Sequence, residues 1–377
     1  MNFSYSEEQQ LLQDSVSKFI QQEYSFEQRK ASVKASGGFS RDKWKTIADM
    51  GLFGIPFSEA DGGFGGSGID MMILMEQFGR GLVVEPYLAT VVLAGGLIQR
   101  GGSDAQKKSL LPKIIDGSLL MAFAHSEPKA RYELNNVAAS AKKDGDAYVL
   151  NGRKAVVLHG DSADKLIVSA RTSGNARDAK GISLFIVDGK AAGITIRGYP
   201  TIDGLHGAEI AIDNVKVNND ALVGKLDDAL PLIEQVTDIA AAALCGEAVG
   251  AMQALNDATL EYLKTRRQFG VPIGKFQALQ HRMVDMIVNT EQAKSMAILA
   301  AVNAHSADAK LRSHAVSAAK SYIGKAAKFV GQQAIQLHGG MGMTEELSVS
   351  HYFKRLTMID INLGDADYHL ERFAAAI

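Results

Sequence analysis

Residues 266–286, RRQFGVPIGKFQALQHRMVDM, decide the reading of the C-terminal half. Gly270, Pro272 and Gly274 break helical continuity there, because glycine is entropically costly in a helix and proline lacks the amide donor. Upstream, Pro231–Thr265 carries Ala240–Leu244, Ala248, Met252, Leu255, Leu260 and Leu263 at helical spacing. Downstream, Phe276, Leu279, Met283, Met286 and Ile287 resume that spacing. Two long helices therefore meet in a hairpin, with Arg266, Arg267 and Phe269 at an exposed tip. The apolar positions of Pro231–Thr265, Phe276–Ala304 and Ser313–His338 exceed the needs of one bundle, which points to a dimer or tetramer.

The chain has 377 residues, enough for two or three domains. Forty basic against forty-two acidic residues give a formal net charge of −2, and no basic cluster speaks for nucleic acid. The single cysteine, Cys245, lies in an alanine-rich helical pattern, so no intrachain disulfide can form and a small buried apolar role is expected. The start, MNFSYSEEQQ, lacks the basic and apolar regions of a signal peptide. No apolar run is expected to span a bilayer, and the location expected is the cytoplasm.

Three segments follow from the change of period. Residues 1–118 read as helical: Ser6 with Gln9 forms a capping-box pattern, and Leu11, Leu12, Val16, Phe19 and Ile20 make one apolar stripe. Further helical patterns lie around 40–51, 68–80, 84–100 and 104–115. The glycine cluster Gly62–Gly68 follows no strand, so it is no dinucleotide-binding turn. Residues 119–225 change to short Val/Ile-rich runs: Leu119–His125, Val137–Lys142, Ala147–Leu150, Lys154–Leu158, Leu166–Ala170, Ile182–Val187, Ile194–Arg197 and Glu209–Val217. Eight such runs without long helices predict an antiparallel β-barrel or sandwich, with Asp144-Gly145 and Asn151-Gly152 as hairpin turns. Residues 226–377 return to helix.

The hairpin stretch resembles a C-terminal signature of the acyl-CoA dehydrogenases, and Gln336–Thr344, QLHGGMGMT, resembles a second one at matching order and spacing. The order helical, β, helical is also that family's. The resemblance implies an α+β multidomain chain: an N-terminal α-helical domain, a middle antiparallel β-barrel and a C-terminal four-helix bundle. It also implies FAD, an acyl-CoA substrate and electron-transfer flavoprotein as acceptor. Members take an α-proton with a carboxylate and pass a hydride from the β-carbon to the flavin.

By the same resemblance, Arg266 and Phe269 match residues on the diphosphate and adenine side of FAD, and Gln336, Gly339 and Gly340 approach that end. A guanidinium suits a diphosphate, and with the second motif present this reading is favoured for Arg266 over a surface salt bridge. His338, with no metal-ligand companion, reads as packing. The flavin half departs from the family. T-E-P-G-x-G-S-D becomes Ser126-Glu127-Pro128-Lys129-Ala130-Arg131-Tyr132, where Ser126 still offers a hydroxyl, and W-I-T becomes Val156-Val157-Leu158. The usual base positions hold Leu363 and Ala240. Glu247, Asp365 and Asp367 are the displaced candidates, the two aspartates reading more readily as helix caps. An intact donor half with an eroded ring half resembles the small subunits of two-gene members, pimeloyl-CoA and steroid side-chain dehydrogenases among them. That implies a base-carrying large subunit, an α2β2 assembly and a dicarboxylic or otherwise bulky acyl-CoA. The alternatives are a self-sufficient homo-oligomer with a displaced base and a flavin-free acyl-CoA-binding scaffold.

Overall fold

Ser6 opens the first helix as its sequence predicts. In the computed structural model, which describes residues 5–375, its hydroxyl accepts the Gln9 N–H and the Gln9 side chain accepts the Ser6 N–H. Residues 1–4, part of the start read for a signal peptide, lie outside the described residues. Helix α1 (Glu7–Glu23) buries Val16, Phe19 and Ile20. It is followed by α2 (Phe26–Lys34), which no pattern announced, then α3 (Arg41–Asp49), α4 (Gly68–Gly81), α5 (Gly96–Gly101) and α6 (Asp104–Ile115). The expected 84–100 helix begins instead as a π-helical stretch, Leu88–Gly95.

The middle segment forms β1 (Met121–Ala124), β2 (Ser140–Asp144), β3 (Ala147–Leu158), β4 (Lys165–Arg171), β5 (Ile182–Asp188), β6 (Ile194–Pro200), β7 (His206–Asn218) and β8 (Leu222–Val223). They make one sheet in the order β6-β7-β3-β2-β4-β5-β8, with β1 added parallel to β4. Most other pairs are antiparallel, as expected. The predicted turn at Asp144-Gly145 joins β2 to β3, Asp144 pairing with Ala147. The one predicted at Asn151-Gly152 does not form. Both residues lie inside β3, where the register against β7 slips between Leu150 and Gly152. Ladder pairing with β7 overrides the local dipeptide preference there, and the Asn151 side chain bonds to Asn214 instead of closing a turn.

Beyond Gly224 come α7 (Leu230–Thr265), a short ribbon of β9 (Arg267–Gln268) and β10 (Val271–Pro272), then α8 (Gln277–Asn303), α9 (Ala309–His338), α10 (Ser348–Ile361) and α11 (Ala366–Ala375). Among its described residues the C-terminal segment is the helical domain expected, with the short α11 following four longer helices. One expectation fails: α7 is long and apolar enough to cross a bilayer. Yet 89% of its apolar window is buried inside the protein, as in a core helix. Cys245 lies on this helix, buried.

Two compact units result, and each interleaves distant segments. One takes the chain up to Ala31, Ser67–Val83 and everything from Ala241; the other takes Ser32–Gly66 and Val84–Ala240. Buried cations organise both. In the β-containing unit, the Lys154 ammonium, 1% exposed, donates to the Glu127 carboxylate at 2.7 Å, the Ser169 hydroxyl at 3.0 Å and the His125 carbonyl at 3.1 Å. Glu127 in turn accepts the N–H groups of Ala138 and Ala139. Arg171 spends its five N–H donors on the carbonyls of Val137, Asp178, Lys180, Asn135 and Ala176. In the other unit, fully buried Lys320 of α9 donates at 2.8 Å to the carbonyls of Ile359, Asp360 and Gly364, where α10 ends. His369 bonds the Leu363 carbonyl through Nε2 and the Ser317 hydroxyl through Nδ1.

Burial pulls Lys154 and Lys320 down to about 8, against the opposing pull of Glu127 on the first and of Cys245, Asp360 and Asp365 on the second. Burial, with the adjacent lysine charge adding to it, pulls His125 and His369 down to about 3. Between pH 6.5 and 3 the unfolded chain therefore binds protons at these histidines that the folded chain does not, so stability falls as pH drops through that window. Urea midpoints should be lower at pH 5 than at pH 7, with a shallower slope for His369→Gln; an identical slope would remove the claim. Between about pH 8 and 10.5 the lysine contribution has the same sign, stability rising with pH. Lys320→Met strands three carbonyls and should cost about 2–4 kcal/mol in urea unfolding.

Candidate functional site

The tip expected as an exposed break between two long helices is a β-hairpin. The Arg266 N–H still bonds the Tyr262 carbonyl, continuing α7, and the Ile273 N–H then returns to the Arg266 carbonyl. Gln268 pairs with Val271 across two residues, Phe269 at φ 53° and Gly270 at φ 79°, both left-handed as a tight two-residue hairpin requires. Phe269 is 90% exposed and meets Phe276 edge-on. Arg266 is exposed and makes no ion pair among the described residues, while Arg267 folds back onto the Gly270 carbonyl.

The second motif comes to the same end of this unit. Helix α9 stops at His338, and Gly339 follows at φ 58°, ψ −140°, a conformation essentially confined to glycine. Open space lies where a Cβ would stand on Gly339 or Gly340, and Gln336 is exposed beside them. The rings of Tyr262 and His338 stack at 4.4 Å, tying the end of α7 to the end of α9. His338 is thus a packing residue, its Nδ1 on the Ala334 carbonyl and its pKa lowered by burial. An exposed guanidinium and an open glycine turn, brought to one end of the unit by that stack, suit the diphosphate end of FAD.

The other unit holds Ser126 and Val156–Leu158. Ser126 is exposed, and its carbonyl accepts the Ala155 N–H. Val156 sits at φ 53° and is 51% exposed, at a register slip between Lys154 and Val157. A β-branched residue in that region is strained. This backbone kink offers a ring a valine and a leucine, with no aromatic face and no hydroxyl, so these residues do not fit the isoalloxazine end as well as the tip fits the diphosphate.

Two of the three displaced carboxylate candidates, Glu247 and Asp365, are already engaged. Ala240 is fully buried. Glu247 is 4% exposed, its two oxygens taken by Arg355 at 2.5 and 2.8 Å. Leu363 adopts φ 60°, its carbonyl held by His369. Asp365 caps α11 by accepting the Tyr368 N–H, and Asp367 is exposed in the first turn.

Sequence reading missed Lys154, Arg171, Lys320 and Arg355, because a buried cation has no spacing that marks it; Glu127, inside the Ser-Glu-Pro motif, was the one available hint. It also missed the pair of His206 and Asp161, Nδ1 to Oδ2 at 2.7 Å. Against His206 packs Gly38, whose missing Cβ would fall 2.2 Å from the imidazole.

Three family profiles match: the acyl-CoA dehydrogenase N-terminal domain over residues 6–118, the middle domain over 122–215 and the C-terminal domain over 230–377. The chain is 31% identical over 373 residues to a probable acyl-CoA dehydrogenase, YngJ, of Bacillus subtilis, covering 97% of each. It is 29% identical to CarC of Acetobacterium woodii, a subunit of a caffeyl-CoA reductase-Etf complex, covering 96% of this chain and 95% of that one. A solved steroid ACAD variant, Tcur3481-Tcur3483, is similar at 28% identity and a TM-score of 0.88, covering 98% and 97%. With all three domains matched in order, the chain belongs to the acyl-CoA dehydrogenase family, and its cofactor is FAD.

Proposed function

We propose that this chain is the small, base-lacking subunit of a cytoplasmic acyl-CoA dehydrogenase and lends its tip to the FAD of a base-carrying partner. The observation that carries this is the state of the carboxylates. Leu363 and Ala240 cannot accept a proton, Glu247 is locked to Arg355, and Asp365 is a cap. The same geometry argues against a displaced base at Glu247 or at Asp365. The likeness to a steroid ACAD named by two genes agrees with an unlike pair, and the likeness to a subunit of an Etf complex agrees with electron-transfer flavoprotein as acceptor. The substrate class we infer is an acyl-CoA with a bulky or dicarboxylic acyl group, pimeloyl-CoA being one.

Bound FAD would supply the hydride acceptor. The chain's own work is to hold: Arg266 pairs its guanidinium with the diphosphate, Gly339 and Gly340 present backbone N–H groups, and Phe269 flanks the adenine side.

The chain alone should dehydrogenate acyl-CoA at least about 10²-fold more slowly than the co-expressed pair, since a positioned base contributes roughly 10²–10⁴. Turnover by the pure chain at the pair's rate would sink the reading. Glu247→Gln should lower the melting temperature, because it uncouples a buried Arg355, without any selective effect on rate. In the α2β2 complex, absorbance should give one FAD per unlike pair, and Arg266→Ala should weaken FAD binding about tenfold. One FAD on every chain, or full retention by Arg266→Ala, would contradict the divided site.

A further inference from the structure

We infer that Tyr262 and His338 are positioning residues for the tip, a stacked pair that fixes the Arg266 hairpin against the Gly339-Gly340 turn. The inference rests on the proposed reading of that tip as the holder of the FAD diphosphate. Each ring adjoins the tip residues: Tyr262 is one turn ahead of Arg266, whose N–H its carbonyl accepts, and His338, inside the second motif, directly precedes Gly339. The motifs lie on α7 and α9, seventy residues apart, so their mutual placement needs a contact between those two helix ends.

The rings lie at 4.4 Å between centroids and 27° between planes. His338 is 4% exposed, and its Nδ1 on the Ala334 carbonyl at 2.9 Å sets the ring plane that Tyr262 meets. Gly342 packs against the base of that side chain: a Cβ there would fall 3.0 Å from the His338 Cβ and 2.8 Å from the Ile335 carbonyl. The Tyr262 hydroxyl reaches the His338 carbonyl only at 3.5 Å, so ring contact rather than the phenol carries the pairing. Burial lowers the His338 pKa, which disfavours a second cation at this end of the unit. Neither side chain need touch the cofactor. Their effect passes through Arg266 and the glycine turn, as supporting residues act through the groups they orient.

The test titrates the flavin-free α2β2 complex with FAD itself and uses trypsin on the full chain as a probe of the tip, since Arg266 and Arg267 are exposed cleavage sites. Tyr262→Ala should weaken FAD binding about tenfold and speed cleavage at these arginines about tenfold, with helical circular dichroism unchanged. Tyr262→Phe, which keeps the ring, should stay within about twofold of the parent on both counts. His338→Leu is the second variant and should repeat the alanine result from the other side. Parent-like cleavage in both Tyr262→Ala and His338→Leu, or a Phe variant as impaired as Ala, would overturn the inference. Faster cleavage with FAD affinity indifferent to Arg266→Ala would leave the clamp standing and remove the diphosphate reading instead.

Discussion

A cation sealed from water must be surrounded by oxygen, and that constraint shapes both units of this chain. Lys154, Arg171 and Lys320 meet it largely with backbone carbonyls. Each thereby fixes a piece of chain that no helix or strand would hold. Lys154 and Glu127 anchor the segment after β1, Arg171 gathers the loops around residues 135–139 and 176–180, and Lys320 shapes the turn around Leu363. Acceptors supplied by the main chain have a particular merit: substitution of side chains in those loops leaves the acceptors in place. The Leu363 turn is one such place, where backbone geometry is held while the side chain at its centre is inert.

The helices and strands were legible because periodicity and caps are local. Ser6 with Gln9 capped α1 as read, and Gly145 turned β2 into β3. Where a local signal competed with a ladder, the ladder won, as at Asn151-Gly152. The break at the tip was legible from Gly270, Pro272 and Gly274, but its β-ribbon was not, because that depends on two successive left-handed residues at Phe269 and Gly270. The buried cations were illegible: a lysine that ends in the core looks like any solvated lysine, and its carbonyl partners leave no trace in residue identity. The length and apolarity of α7 were underestimated, and its burial is a property of packing that length and composition do not contain.

The two halves of the family's site have fared differently here. At the tip, side chains and backbone both suit an anionic ligand. Around Val156 the kinked backbone persists at a cost, of order 1–3 kcal/mol for such a conformation, without the residues that would exploit it. A strained shape with no evident local use is stable only while its surroundings over-determine it. Here the pairing of β3 with β7 on both sides of the kink does so.

Phe269, with nine-tenths of its surface in water, has a further consequence. Whatever covers it binds the folded chain and not the unfolded one, so by mass action its occupancy raises the melting temperature. Heat resistance in this protein is therefore partly a property of its surroundings: the same sequence should melt at different temperatures depending on the concentration of whatever occupies the tip, and a melting curve becomes a binding isotherm read on another axis.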